Sequence, residues 1–316
     1  MVRGFWRGAT LAILVGLALS LVACSQFGKL QAKRAFKDAN VQYQQQEYKK
    51  AAKLYEEAIT SDPDMATAYF YLGNSYDNMF KPARKGEKEN DDYLMKAIEN
   101  YKKAAEKETD PKMRKLALEF LVAAYGPDKL NDPAQARPVV EKMIAIDPTE
   151  PTNYFGLSKI YEDAGEYDKA EETLLKAKEA RPNSSDVYLQ LAGFYNRQED
   201  FPKTIEAYNR RAELEPNNPE SFYTIGAFYW DKAFRDFRLK EAEKRDFVIK
   251  GIGMMDKALA LKSDYIEALT MKNILLRMQA NTEKDVAKQQ ALIKEADKLR
   301  DEAMELKKKK VSGVVK

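Results

Sequence analysis

Most of the chain has apolar and small residues at three- and four-residue spacing, which is the pattern of amphipathic helices. Three prolines, Pro148, Pro182 and Pro216, lie 34 residues apart, and aligning the chain on them brings the apolar positions into register. The recurring positions hold Tyr154, Leu157, Tyr161, Gly165, Tyr167, Ala170 and Ala177 in one copy and Tyr188, Leu191, Ala192, Tyr195, Phe201 and Tyr208 in the next. Proline ends a helix, and small residues allow two helices to approach closely. Each copy is therefore predicted to be a helical hairpin, and the chain to be all-α.

The same register extends toward both ends of the chain. Further copies begin near Ala39, Tyr69 and Leu121 upstream, and near Phe222 and Ile266 downstream. Two copies are interrupted between their first and second helices, by insertions near 80–92 and 235–247, and the second insertion has helical spacing with Phe237, Leu239 and Phe247. We expect these insertions to form loops or helix extensions at one edge. A docking role is the alternative, because insertions in repeat proteins often make a binding face.

The aligned positions resemble the tetratricopeptide repeat, with its aromatic residue, Leu-small pair, Tyr, small residue opening the second helix, and terminal Pro. The resemblance implies a right-handed superhelical solenoid of about seven helix pairs over residues 31–282. Residues 283–310 are predicted to form a long charged capping helix, and residues 311–316 a frayed tail. The apolar stripe of the capping helix is expected to hold Val286, Leu292, Leu299 and Leu306.

In tetratricopeptide repeats the first helix of each pair lines a groove that commonly takes peptides or partner helices. By this resemblance the fifth, ninth and twelfth positions of the first helices form a candidate protein-binding groove. Those positions hold Phe36, Asn40, Tyr43, Phe70, Asn74, Asp77, Phe155, Lys159, Glu162, Leu189, Asn196, Tyr223 and Trp230. Stacking does not require apolar side chains here, so they favour a site for an apolar peptide. The alternative is that the C-terminal helix or the curvature of the solenoid covers some of them.

The N-terminal residues have a different pattern from the repeats. Arg3 and Arg7 precede an apolar run from 9 to 22, which is shorter than the roughly 20 residues of a membrane-spanning helix. The run ends in Leu-Val-Ala-Cys, with the cysteine at Cys24, and this segment resembles a bacterial lipobox. An ordinary secretory signal, or a plain N-terminal membrane helix, is the alternative.

The lipobox resemblance implies that a signal peptide, residues 1–23, is removed and that Cys24 is acylated with fatty acids such as palmitate. Residues 24–30 would then be a lipidated linker ahead of a first helix near Leu30. Multiple acyl chains hold a protein stably on a membrane. In the Gram-negative sorting pattern that this segment resembles, an Asp after the cysteine retains a lipoprotein on the inner membrane, so Ser25 favours the outer membrane, facing the periplasm.

Composition narrows the chemistry further. The chain has 53 Lys and Arg against 50 Asp and Glu, and removing Arg3 and Arg7 with the leader leaves 51 against 50. This balance gives no electrostatic reason to expect nucleic acid as a partner. The chain contains no His and only one Cys, which excludes His-based catalysis, His-liganded metal and intramolecular disulfides. No phosphate-binding loop or nucleophile elbow occurs, so we predict no cofactor, no metal and no enzymatic activity.

Together these features predict a membrane-anchored scaffold that binds protein or peptide partners in the bacterial cell envelope. Its expected role is of the type that supports outer-membrane protein assembly, pilus or secretin assembly, or regulation of cell-wall enzymes. Two alternatives stay open. One is a cell-wall or polysaccharide-processing enzyme or a subunit of one, and the other is a small-molecule-binding lipoprotein.

Overall fold

A computed structural model of the chain describes residues 26–312. The predicted leader, Cys24 and the last four residues of the tail lie outside the described residues. Between residues 26 and 312 all regular secondary structure is helical and there is no strand, so the all-α prediction is confirmed. The chain divides into two compact units, unit 1 from Met1 to Pro148 and unit 2 from Thr149 to Lys316. Each is described by itself.

Unit 1, from residue 26 onward, consists of three helix pairs. Its helices are α1 (26–44), α2 (Tyr48–Ser61), α3 (Ala66–Met79), α4 (Lys88–Lys107), α5 (Pro111–Tyr125) and α6 (Pro133–Ile146). Residues 26–30 were expected to be part of a linker, but they are helical and belong to α1. The linker prediction is wrong for these residues, because the small residues at helical spacing that include Ala32 and Ala39 begin at Gly28, where α1 approaches the end of α2.

The described part of unit 2 consists of four helix pairs. Its helices are α7 (Pro151–Asp163), α8 (Tyr167–Ala180), α9 (Ser185–Arg197), α10 (Phe201–Leu214), α11 (Pro219–Arg235), α12 (Glu241–Leu261), α13 (Ile266–Thr282) and α14 (Val286–Val311). In both units each first helix packs on the second helix of its own pair. This is the helix-pair arrangement that the repeat predicted.

Glycines lie where the two helices of a pair approach most closely. A Cβ atom added to Gly73 in α3 would lie 2.8 Å from the ring of Tyr101 in α4. A Cβ atom added to Gly226 in α11 would lie 3.1 Å from the carbonyl oxygen of Gly251 in α12. These distances are too short for a side chain. The small residues of the repeat therefore permit close packing, as predicted.

Both insertions form a short loop followed by extra turns of the second helix. The first contains a 3₁₀ turn at Pro82–Arg84, and α4 then runs for 20 residues, against 14 in α8. In the second, Phe237 and Leu239 lie in the loop before the 21-residue α12. Their helical spacing in the sequence therefore does not correspond to helix.

The final helix, α14, packs on α13 through Ala296 and Ala303, which are its buried residues. Leu299 is partly buried on this face, whereas Val286 is 64 % exposed. The expected apolar stripe is thus correct at its centre and wrong at Val286, because that residue lies in the first turn of the helix. None of the helices in residues 26–312 combines the length and hydropathy needed to cross a bilayer.

Candidate protein-binding surfaces

The first-helix face of unit 1, formed by α1 and α3, is an aromatic surface. The ring centroid of Phe36 lies 5.5 Å from that of Tyr55 and 5.8 Å from that of Tyr71. The Tyr43 ring meets the Tyr71 ring edge-on at 5.9 Å. Phe36 and Tyr43 are only partly buried. Their rings therefore pack between α1 and α3 and also leave apolar surface exposed to solvent.

Hydrogen bonds within unit 1 hold the polar groups of this face. The Tyr55 hydroxyl donates to Asn40 Oδ1 at 2.6 Å, and Asn78 Nδ2 donates to the Tyr43 hydroxyl oxygen at 3.4 Å. Burial raises the pKa of Tyr43, so this hydroxyl stays protonated at neutral pH. Since Asn40 and Tyr43 already have partners, the face offers a ligand mainly apolar contact.

Two residues predicted to line an open groove are instead in the core of unit 1. Phe70 is 4 % exposed and Asn74 is 6 % exposed. The ring of Phe120 in α5 lies edge-on to Phe70 at 5.3 Å, and the ring of Tyr101 lies 6.0 Å away. The prediction for Phe70 and Asn74 is therefore wrong, because α4 and α5 cover this part of α3.

Asp77, the twelfth position of α3, forms a largely buried ion pair. Its two carboxylate oxygens accept hydrogen bonds from Lys129 Nζ at 2.6 and 2.7 Å, and one also accepts from the Tyr101 hydroxyl at 3.2 Å. The Asp77 side chain is 10 % exposed. Burial, followed by the charge of Asp77, raises the pKa of Tyr101. Asp77 thus ties the loop after α5 to α3, and its carboxylate is already occupied.

In unit 2 a bidentate ion pair links the first helices α7 and α9. Arg197 Nε and Nη2 donate to the carboxylate of Glu162 at 2.6 and 3.0 Å. The Glu162 side chain is 9 % exposed, whereas that of Arg197 is 50 % exposed. Hydrogen bonding to Glu162 raises the pKa of Arg197. The carboxylate of Glu162, one of the predicted groove residues, is therefore already paired. A partner can reach only the Arg197 side of this ion pair.

The other predicted groove residues on α7 and α9 differ in their exposure to solvent. Phe155 and Leu189 are partly buried, whereas Lys159 and Asn196 are exposed. Lys159 pairs with Asp163 at 2.6 Å, one turn along the same helix. An exposed pair of this kind contributes little to stability, so Lys159 can exchange its partner readily.

The two most exposed aromatic side chains in the described part of unit 2 lie at the end of α11 and in the loop that follows it. Tyr223, Trp230 and Phe234 recur at helical spacing, and the rings of Trp230 and Phe234 stack at 5.4 Å with an interplanar angle of 10°. Phe234 is 65 % exposed, and Phe237 in the following loop is 87 % exposed. We call Trp230, Phe234 and Phe237 the α11 aromatic patch.

Within the α11 aromatic patch, Trp230 packs against the core of unit 2. Trp230 packs on a cluster that includes Ala233, Met255 and Leu275. Its indole Nε1 is buried and has no hydrogen-bond partner among the described residues. The Trp230 ring is therefore a fixed base on which Phe234 stacks, while Phe234 and Phe237 project outward.

Phe234 and Phe237 were not among the predicted binding residues. The register of the repeat ends at the twelfth position, which is Trp230, and Phe234 lies one turn beyond it. The sequence did carry a signal for Phe234, because Tyr223, Trp230 and Phe234 continue the same helical spacing. The aromatic face of α11 is longer than the register predicts because α11 has 17 residues, against 13 in α7 and α9.

Family models match two segments of the chain. Residues 39–79 match a model described as TPR repeat, and residues 129–193 match a model described as tetratricopeptide repeat. These segments include much of the first-helix surface at Asn40, Tyr43, Phe155 and Leu189. No curated protein matches the chain.

Several solved structures match the chain. The C-terminal part of a TPR repeat-containing protein from Cytophaga hutchinsonii is 17 % identical, with a TM-score of 0.53, and the match covers 86 % of this chain and 98 % of that one. MamA from Desulfovibrio magneticus is 14 % identical over 63 % of this chain and 96 % of that one, with a TM-score of 0.42. YrrB, described as a TPR protein with an unusual peptide-binding site, is 18 % identical over 60 % and 89 %, with a TM-score of 0.41.

The fold of the described residues is thus that of tetratricopeptide-repeat proteins. This fold is generally a scaffold for protein interaction.

Proposed function

We propose that the protein is a lipid-anchored adaptor of the bacterial cell envelope, and that it binds a protein partner through the α11 aromatic patch. The observation that carries this proposal is the stacked pair of Trp230 and Phe234, with a second exposed phenylalanine, Phe237, three residues further along the chain. Phe234 and Phe237 are 65 % and 87 % exposed, so both leave apolar area in water. Aromatic residues on a fixed base are typical of the centres of protein interfaces.

The patch can supply a substantial share of a binding energy. Full burial of a Phe side chain is worth roughly 1.5–3 kcal/mol, and Phe234 and Phe237 are 65 % and 87 % exposed, so covering them would contribute roughly 2–5 kcal/mol before the cost of association. Phe234 needs little ordering, because it already stacks on Trp230. The exposed guanidinium of Arg197 and the exposed Asn196 supply polar contacts on the first-helix face of the same unit.

The membrane part of the proposal depends on the N-terminal sequence. The basic residues, the apolar run and Cys24 support acylation, and Ser25 supports the outer membrane, facing the periplasm. The helix α1 includes residue 26, so at most one residue, Ser25, separates Cys24 from it. The stretch from Cys24 to residue 26 spans at most about 7 Å. Unit 1 would therefore lie close to the bilayer.

A crosslinking experiment in the native envelope tests the partner surface. A photoreactive amino acid at position 234 or 237 should capture a specific protein partner. The same group at Tyr167, which is 49 % exposed on α8 of the same unit, is the matched control and should capture none.

Affinity then measures what the patch contributes. With the captured partner purified, Phe234→Ala together with Phe237→Ala should weaken binding by at least about tenfold, since losing one buried Phe removes more than 1.4 kcal/mol. Tyr167→Ala should leave the affinity unchanged. If both variants bind equally well, the α11 aromatic patch is not the docking surface. If the purified protein instead turns over peptidoglycan fragments, the adaptor function is wrong.

A further inference from the structure

The last turns of α14 combine lysines with exposed apolar side chains. Met304, Lys307, Lys308 and Val311 follow the i, i+3, i+4, i+7 spacing and share one face of the helix. Met304 is 52 % exposed and Val311 is 83 % exposed. These four residues and Ser312 line an open concavity of about 530 Å³. We call this set, together with Lys309 and Lys310, the α14 basic end.

The charge of this end is largely unneutralised. Lys307, Lys308, Lys309 and Lys310 are consecutive and exposed. In residues 26–312 only Lys309 among them has an ion-pair partner, Glu305 at 2.7 Å. Cations near a helix C-terminus interact favourably with the helix dipole, but that effect does not account for Met304 and Val311 on the same face. The sequence continues with two more valines and a final lysine, Lys316.

We propose that the α14 basic end binds the surface of an anionic lipid bilayer. Met304 and Val311 enter the boundary between headgroups and acyl chains, while Lys307, Lys308 and Lys310 contact lipid phosphates. Lysine-flanked apolar strips of this kind lie in the plane of a membrane interface. The long lysine side chains let the charges stay in the headgroup layer while their methylenes follow the apolar strip.

The residue types favour lipid over a protein partner. All four cations from 307 to 310 are lysines. Lysine is a hydrated point charge on a flexible stem, which suits a fluid layer of phosphates. Arginine, with its planar fork, is the usual choice for a carboxylate in a fixed position. The apolar residues are aliphatic, and the α14 basic end has no aromatic anchor of the kind that the α11 aromatic patch offers.

This inference goes beyond the proposed function, because it needs no acyl group on Cys24. The test therefore uses the chain from Ser25 to Lys316, which retains every residue that the structure describes. Its binding to vesicles of phosphatidylcholine mixed with phosphatidylglycerol is measured by co-sedimentation. Vesicles of phosphatidylcholine alone serve as the uncharged reference. We expect binding to the anionic vesicles only, and weaker binding as salt is raised.

Substitutions assign the binding to the α14 basic end. The test variant carries Lys307→Gln, Lys308→Gln and Lys310→Gln. The matched control carries Lys288→Gln, Lys294→Gln and Lys298→Gln, which remove the same charge from exposed positions of the same helix. A lysine near an anionic surface contributes about fivefold to partitioning, so the test variant should partition roughly 100-fold less. The control should partition nearly as well as the parent chain.

A fluorescent label shows which part of α14 meets the lipid. The chain from Ser25 has no cysteine, so Val311→Cys can carry a single environment-sensitive dye. The matched label goes on Val286→Cys, at the other end of α14, where the valine is 64 % exposed. Anionic vesicles should shift the emission of the label at position 311 to the blue and leave that at position 286 unchanged.

Several results would overturn the inference. These are equal binding to uncharged vesicles, an equal loss in the control variant, or a blue shift at position 286 as large as that at 311. Tighter binding to polyglutamate than to anionic vesicles, lost in the test variant, would assign the α14 basic end to an acidic protein. The lipid-anchor part of the proposed function fails separately, if full-length protein with Cys24 intact takes up no fatty acid.

Discussion

The close packing of α11 against α12 can be tested by replacing Gly226 with alanine. The new Cβ atom would lie 3.1 Å from the carbonyl oxygen of Gly251 and 3.2 Å from the Cβ atom of Met254, and it would also overlap the Cε atom of Met255. Met255 is fully buried, so its side chain can give way only by repacking within the core. Relief therefore combines repacking of Met255 with a small shift of α12 away from α11, and both loosen the core of unit 2.

Two effects set the size of the change. Overpacking of this kind costs about 1–3 kcal/mol, whereas replacing Gly by Ala inside a helix gains about 1 kcal/mol. Gly253 lies in α12 of the same helix pair, and a Cβ atom there would meet nothing within 4 Å. Gly253→Ala should therefore show only the gain. The difference between the two variants cancels the helix propensity and isolates the packing cost, about 1–3 kcal/mol in favour of Gly253→Ala.

Unfolding in urea, followed by tryptophan fluorescence, measures this difference directly. In the chain from Ser25 to Lys316, Trp230 is the only tryptophan, because the other is Trp6. Trp230 lies in α11 itself, so its signal reports the unfolding of unit 2. Equal free energies of unfolding for Gly226→Ala and Gly253→Ala would refute the argument that a short backbone contact requires glycine at 226.

Three further outcomes follow from the described residues and the N-terminal sequence. Phe70→Ala should lower the free energy of unfolding by about 3–5 kcal/mol, as for a core aromatic, and Phe234→Ala should lower it by much less; equal melting temperatures would contradict the burial of Phe70. Burial raises the pKa of Tyr101 above its ordinary value of 10.0, so the folded state should lose stability as pH rises from about 10 to 12, where the unfolded chain releases the proton first. In Tyr101→Phe the free energy of unfolding should fall less over this pH range. Urea unfolding measured at each pH tests this, and an equal fall in the parent chain and the variant would contradict it. Cys24→Ser should abolish metabolic labelling with fatty acid, and a variant that still takes up label would exclude the lipobox.

The sequence predicted the repeating part of the fold well, because that part depends on local spacing. The 34-residue register placed small residues at Gly73 and Gly226, and these are the positions where paired helices approach closely. The two interruptions of the register mark where α4 and α12 gain extra turns. Helical spacing failed at Phe237, because a loop that precedes a helix can show the same spacing by chance.

Exposure of the candidate site was beyond the reach of the sequence. Phe70 and Phe155 occupy the same position of the repeat, yet Phe70 is buried and Phe155 is only partly buried. The difference comes from Phe120, which lies 50 positions further along the chain and covers Phe70 edge-on. The register gives the side of a helix on which a residue lies, but not the side chain that a neighbouring helix places over it.

The amino-acid sequence alone thus determined the helical hairpins and their small contact residues, since both depend on residue types at short spacing, whereas acylation at Cys24 stays a prediction. Only the tertiary structure decided that Asp77 is held by Lys129 and that Phe234 stacks on Trp230 in the open. Whether a polar group is already paired, or an aromatic ring is covered, depends on contacts between distant segments. Those contacts form only when the helix pairs pack, and they determine which side chains a partner can reach.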